Sequence, residues 1–341
     1  MLLRHATIIY TVAAATLLST CSQVWASDGD ALTQRTRILS PCTQDATCVL
    51  NAIINKRFEL ALKKVNRKRK PSRDDLEQAL LGQLGDIKVL GVTIPTGPLE
   101  KPIEHGKSKV LKYNGQPARI PSFTIDRSKS IYRDATFCDS PGLVFKMASH
   151  VKMGSLVIGS DKLTHFFAQG YEYIEVYRQR GVRAAVAHGI GTEKGKYGLN
   201  GNGIYSYGDL SANFSGFTFW RDLTKHGCGH FAKCRNGDWM QTRRFNWLCF
   251  ANPAWDEAVN PPCGPAVNQS MPYVRQLVRC GRIANVPPLA PESIPSIANS
   301  YPDWVLPCIL NPKTLGVLGL VSETPVLEIG MKADNKETSV K

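Results

Sequence analysis

Twelve of the 21 prolines of this 341-residue chain fall between Pro253 and Pro312. Each fixes its own φ and removes a backbone donor, so the last third cannot form long helices or central strands. Regular structure is pushed upstream, and the last third must be held by something else. It contains or borders Trp220, Trp239, Trp247, Trp255 and Trp304, and it carries six of the ten cysteines. The sequence therefore predicts an irregular, Pro- and Cys-rich C-terminal region from 226 to 330, stapled by disulfides. With 43% hydrophobic and 21% charged residues the chain is too apolar for a disordered polymer, and its length allows one large or two modest domains.

The disulfide expectation rests on compartment. Arg4, with His5, is the only charge before an apolar run from Ala6 to Leu18 and a small-residue cleavage pattern at Val24-Trp25-Ala26. Residues 1–26 read as a signal peptide, which places the protein in a periplasmic or secreted setting. Cys21 follows Leu18-Ser19-Thr20, where a lipidation site takes a smaller residue than Thr. Cleavage leaves nine cysteines: Cys42, Cys48, Cys138, Cys228, Cys234, Cys249, Cys263, Cys280 and Cys308. Cys42 and Cys48 suit a local bridge, and the odd count leaves one thiol free or linking a dimer. A zinc alternative lies at His226, Cys228, His230 and Cys234, four ligands within nine residues, although the spacing lacks the usual paired arrangement. No later segment reaches the length of a transmembrane span.

The formal charge of +14 becomes +13 without Arg4, and it is concentrated. Between Lys56 and Arg73 nine cations, including Arg67, Lys68, Arg69 and Lys70, face Glu59 alone. Such a patch attracts anionic lipid or cell-wall polymer, whereas export makes nucleic acid an unsuitable partner. A solvated helix end would look the same in sequence.

Apolar residues at Leu50, Ile54, Phe58, Leu62 and Val65 predict an amphipathic helix, and Ser72 with Asp75 caps a second that stops at Gly85. Residues 27–84 thus form a basic helical hairpin. Residues 85–130, broken by Gly and Pro, read as a connector with one short strand. Residues 131–225 form a central helical domain. Ser160 caps a helix over 161–180, a small-residue helix follows over 183–193, 195–203 is a Gly-rich loop, and Ser206 caps a third helix. Residues 331–341 read as a disordered tail. The expected fold class is mainly α.

The central helices carry one polar constellation. Asp161 and His165 share a helix face, His188 and Glu193 end the second helix, and Asp209 and Asn213 are four apart on the third. Packed inward, these faces would give imidazoles, carboxylates and an amide. His165 would then act as a base or metal ligand, with Asp161, Glu193 and Asp209 as its catalytic partners and Asn213 and His188 binding. The same residues also suit helix caps and buried hydrogen bonds. No nucleophile elbow, Walker loop or HExxH is present, and the residues specify neither a metal nor any other cofactor.

The run Asp161-Lys162-Leu163-Thr164-His165-Phe166, then Glu193, then Asp209-Leu210-Ser211-Ala212-Asn213-Phe214-Ser215-Gly216, resembles the DKxxHF, E and DxxANxxG series of VanZ-like and YfiM-type envelope proteins. The resemblance covers about 60 residues. It implies an envelope setting and nominates Asp161, His165, Glu193, Asp209 and Asn213, but it supplies no reaction. VanZ-like proteins are membrane-embedded, which the charges of 178–196 do not allow here. Two expectations follow, in order: a binding or accessory protein at anionic envelope material, or an envelope hydrolase built on the His/Asp/Glu site.

Overall fold

The computed structural model describes residues 28, 30, 44–85, 87–89, 92–94, 98–134, 147–195, 197–225, 231–264, 267 and 293–319. The expected leader, the tail, and the cysteines at 42, 138, 228 and 280 lie outside these residues. Among them 52% are helical and 14% lie in strands, which corrects the mainly-α expectation.

Two helices open the described chain as the apolar spacing requires. Helix α1 (Thr47–Val65) buries Leu50, Ile54, Phe58 and Val65, and α2 (Arg73–Leu84) starts at a capping box. There Asp75 N donates to Ser72 Oγ, and Ser72 N donates back to Asp75 Oδ2. The connector is more ordered than its Gly and Pro content suggests. It holds hairpin β1 (Ile87–Val89) with β2 (Val92–Ile94), short helix α3 (Glu100–Glu104), and hairpin β3 (Lys107–Tyr113) with β4 (Gln116–Arg119). The second hairpin turns on Asn114 and Gly115, both at positive φ, the conformation a two-residue hairpin turn demands.

The central region opens with hairpin β5 (His150–Met153) and β6 (Leu156–Gly159), which feeds directly into α4 (Ser160–Thr164). Ser160 is not a cap, because it already has helical geometry and its hydroxyl makes no capping bond. A π turn over His165–Gln169 follows, then α5 (Gly170–Lys194). Gly181 interrupts α5 at φ 80°, dividing it close to the boundary expected between two helices. The Gly-rich loop contains one short helix, α6 (Leu199–Asn202). Helix α7 (Tyr207–Asp222) is capped by Ser206, whose Oγ accepts from Asp209 N. It packs on α5 and the π turn, and small residues permit close approach. A Cβ on Gly216 would overlap the Phe166 carbonyl, and one on Gly170 would meet the Gly216 backbone at 2.6 Å.

Where it is described, the last third is largely irregular, and no disulfide joins its described cysteines. It holds hairpin β7 (Ala232–Arg235) with β8 (Asp238–Gln241), then α8 (Ser293–Ser300), α9 (Leu306–Ile309) and α10 (Pro312–Val317). Cys48, Cys234, Cys249, Cys263 and Cys308 are all unbonded, which overturns the stapling expected among the described cysteines. Aromatic packing holds the region instead. Phe166 lies at ring-centroid distances of 5.1–6.1 Å from Phe245, Trp247, Phe250 and Trp255. Tyr301 adds a polar anchor: its hydroxyl accepts from Asn252 Nδ2 and Trp255 Nε1 and donates to the Ser211 carbonyl of α7. No described helix is long and apolar enough to cross a membrane.

Candidate functional site

Two of the expected residues, Asp161 and Asp209, meet at a position that an unexpected one, Lys162, fills. Lys162, only 1% exposed, extends its ammonium to 2.6 Å from Asp161 Oδ2, 2.6 Å from Asp209 Oδ1 and 2.7 Å from Glu257 Oε1. The hairpin β5–β6 delivers Asp161 and Lys162 at the start of α4, and the Ser206 cap delivers Asp209 in the first turn of α7. Glu257 follows the 3-10 turn Pro253–Trp255. Gly208 makes room for the lysine stem, since a Cβ there would stand 3.0 Å from Lys162 Cε and 3.2 Å from the Trp255 carbonyl.

A second layer surrounds this core. His165 Nε2 lies 3.2 Å from Asp209 Oδ2, and its Nδ1 lies 3.0 Å from Asn213 Oδ1. Asn213 Nδ2 donates to Gln169 Oε1, which fixes the amide so that its oxygen faces the ring; Nδ1 is therefore the donor. Both ring nitrogens of His165 are thus engaged with neighbouring side chains. Glu193 is buried, and its Oε1 accepts the Ser206 backbone N–H at 2.9 Å. Ser206 Oγ in turn donates to Glu257 Oε1. His188 lies apart, a third exposed and 3.6 Å from Glu172 across the Gly181 break, so the expected second imidazole does not join the centre.

Carboxyls outnumber cations here. Asp28, Asp161, Glu193, Asp209 and Glu257 face Lys162 and His165, all nearly sealed from water. Burial raises the Asp28, Asp161 and Glu193 carboxyls, with the Asp209 charge adding to each, and it pushes Glu257 up to about 8 against the pull of Lys162. Asp209 goes the other way. Burial opposes its ionisation, but His165 and Lys162 outweigh that and hold it below the usual carboxylate range. Burial also works against the Lys162 ammonium, yet Asp161, Asp209 and Glu257 together keep it charged. Asp161 Oδ1 and Glu193 Oε2 are buried with no hydrogen-bond partner among the described residues. Burial thus biases four of these carboxyls toward their protonated forms, while Asp209 is biased toward its anion.

Oxygens of Asp28, Asp161, Asp209 and Glu257 all lie within 4.8 Å of one another, an all-oxygen set of the kind that suits a hard divalent cation. Lys162 occupies the place such an ion would take, contacting three of the four. The zinc alternative cannot be placed, since His226, Cys228 and His230 lie outside the described residues; Cys234 is exposed on β7.

Lys162, Glu257 and Asp28 were missed in the sequence. Lys162 stands inside the quoted Asp161–Phe166 run, where a charged residue in the first turn of a helix reads as solvated. Glu257 belongs to the Trp255-Asp256-Glu257-Ala258-Val259 segment, whose apolar flanks were the available signal. Asp28 adjoins the expected cleavage site and carries no pattern. Arg67, Lys68, Arg69 and Lys70 are exposed in the turn between α1 and α2, as expected of a surface patch. Compared with protein-family models, curated proteins and solved structures, the chain matches none.

Proposed function

We propose that the chain is an exported envelope hydrolase of the acid–base type, working from the Lys162-centred cluster. The observation that carries this reading is a pair of carboxyls on one ammonium with opposite acidities: Glu257 held up to about 8 and Asp209 held low. Environments that drive neighbouring titratable groups apart divide acid from base roles. Glu257 keeps its proton at neutral pH and gives it to the leaving group. Asp161, whose raised carboxyl has one oxygen unengaged, takes the proton of the attacking water. Asp209, held low, keeps Lys162 charged and orients His165, so His165 positions and does not abstract. The centre is closed, so turnover requires the covering chain to yield to substrate. The similarity of the Asp161–His165 and Asp209–Gly216 runs to the VanZ-like and YfiM-type series supports the envelope setting.

The test incubates purified protein with isolated envelope fractions and follows soluble fragments by mass spectrometry, alongside Glu257→Gln and Asp161→Asn. Fragments released by the parent and lost in both variants, with unchanged far-UV circular dichroism, are the expected result. Equal release by the variants, or none by the parent from any fraction, sinks the reading.

The exposed Arg67–Lys70 turn favours a second reading, an accessory protein at anionic envelope material with no turnover. Parent protein retained on those fractions without fragment release would select it.

A further inference from the structure

One buried imidazole beside the centre has no task in the fold. His150, fully buried on β5, has both Nδ1 and Nε2 without a hydrogen-bond partner among the described residues. Buried polar groups are normally satisfied, so a free ring of this kind calls for a partner that the chain does not supply.

Register fixes where the ring stands. His150 lies directly opposite Gly159 in hairpin β5–β6. Side chains of opposed residues share one face of a hairpin, with Cβ atoms about 4.5–5.5 Å apart. Gly159 has no side chain, and Asp161 Oδ1 takes its place, since a Cβ on Gly159 would overlap that oxygen. The oxygen thus occupies the cross-strand position next to His150, and it too is unpartnered. The bridge between Phe123 and His150 sets the half-buried Phe123 ring on the same face, stacked on the imidazole at 5.7 Å. Burial, and after it the Lys162 ammonium, push the imidazole down to about 3. The ring is therefore neutral and carries one N–H and one lone pair.

The other side-chain nitrogens at the centre are committed. The Lys162 ammonium contacts three carboxyls, and His165 is engaged at both ring nitrogens. A free N–H beside the carboxyl that receives the water proton is where an oxyanion donor belongs.

We propose that His150 donates its ring N–H to the oxygen of a carbonyl substrate, so that the centre cleaves ester or amide bonds. This rests on the acid–base reading above and names its substrate class. The water oxygen bonds to the carbonyl carbon, its proton passes to Asp161, and the carbonyl electron pair moves onto the oxygen that His150 holds. That pair then re-forms the carbonyl, the bond to the leaving oxygen or nitrogen breaks, and the leaving group takes the Glu257 proton. Transfer of a proton from Asp161 back to Glu257, both on the Lys162 ammonium, resets the centre. A glycosidic bond would develop positive charge at carbon and has no use for this donor.

The experiment incubates isolated envelope fractions in water enriched in the heavy oxygen isotope with the parent, His150→Phe and His150→Gln. Fragments from the parent should carry one heavy oxygen in a new carboxyl group. His150→Phe keeps a ring to stack on Phe123 and should match or exceed the parent's urea midpoint. It should nevertheless release fragments about 100- to 1,000-fold more slowly, the usual loss on removing one oxyanion donor. His150→Gln restores an N–H and should recover most of that rate. Equal rates in the parent and His150→Phe, or a Gln variant no faster than the Phe variant, overturn the role of His150. A His150→Phe protein less stable than the parent also overturns it, because the ring would then have a task in the fold. Heavy oxygen on a sugar carbon or a phosphate overturns the carbonyl assignment and leaves the hydrolase reading standing. No release by the parent overturns both.

Discussion

Replacing Lys162 by Met removes one ammonium while keeping a side chain of similar length and volume in the slot that Gly208 leaves open. The ammonium touches three carboxyl groups at 2.6–2.7 Å and is 1% exposed, so no water can take its place. Breaking a buried ion pair by deleting one partner costs about 3–5 kcal/mol. That is about a fifth or more of the about 5–15 kcal/mol by which folded chains are usually more stable than the unfolded state. The cost must depend on pH. In the unfolded chain Glu257 loses its proton near 4.5, but in the folded protein it keeps it to about 8. Between those values the folded state binds more protons, so stability falls as pH rises. Without Lys162 the carboxyls rise further, and the variant binds up to about one proton more than the parent, adding up to about 1.4 kcal/mol of loss per pH unit. Urea unfolding followed by the buried indoles of Trp220, Trp247 and Trp255 measures this. The Lys162→Met deficit should be about 3–5 kcal/mol at pH 8 and shrink to about 1–2 kcal/mol at pH 5, where mostly neutral hydrogen bonds are missing. A deficit below about 1 kcal/mol at pH 8, or one equal at both pH values, would refute a charged lysine compensating buried carboxylates.

Glu257→Gln cannot ionise, so its stability should stay flatter than the parent's between pH 5 and 8 in the same urea series; parallel curves would show that Glu257 does not hold the proton. Gly216→Ala forces a methyl into the Phe166 carbonyl and should cost at least about 1–3 kcal/mol, while Gly191→Ala, with nothing within 4 Å, should gain about 0.4–1 kcal/mol. Thermal unfolding of the two side by side checks the helix contact. Cys234 and Cys249 are exposed and unbonded, so a maleimide should label both in native protein without reductant, as read by peptide mass; protection of either would restore a bridge.

The parts legible in the sequence are those fixed by local chemistry. The apolar spacing of 50–65 and the Ser72–Asp75 box name α1 and α2 outright, and Ser206 marks α7 because a cap acts on its own helix. The hairpins were equally local and were passed over. Asn114-Gly115 and Asn236-Gly237 are two-residue hairpin signals, but the Gly and Pro around the first, and the cysteines around the second, drew a loop or a disulfide reading instead. The disulfide expectation failed for a different reason. Compartment and count say what cysteines tend to do, whereas the aromatic cluster around Phe166 that makes staples unnecessary is assembled from residues up to about 90 positions apart. The site divides in the same way. Asp161, His165, Glu193, Asp209 and Asn213 were found because each lies on a helix face or end. Lys162 and Glu257 owe their role to burial by distant segments, which periodicity does not report. His188 does not join them, because past the Gly181 break it faces Glu172 instead.

The cluster is an expensive way to fill a core, and the fold makes several concessions to it. Well-packed apolar residues in place of a buried ion network are often neutral or more stabilising, so stability alone does not account for five carboxyls around one lysine. Gly208 gives up a side chain to admit the Lys162 stem, and a Cβ at Gly159 would overlap the Asp161 carboxyl. The π turn at His165–Gln169 is a third concession. Four residues of α-helix overshoot one turn by about 40°, so Asp161, His165 and Gln169 would drift around a regular helix. The wider turn undoes the second step of that drift, which brings Gln169 to Asn213 and Asn213 to His165. It also leaves the Phe167 carbonyl to accept from Trp220 Nε1 at 2.9 Å. Irregular turns of this kind persist where a site requires them. Three separate backbone accommodations thus converge on one group of charges, which apolar packing alone would not require.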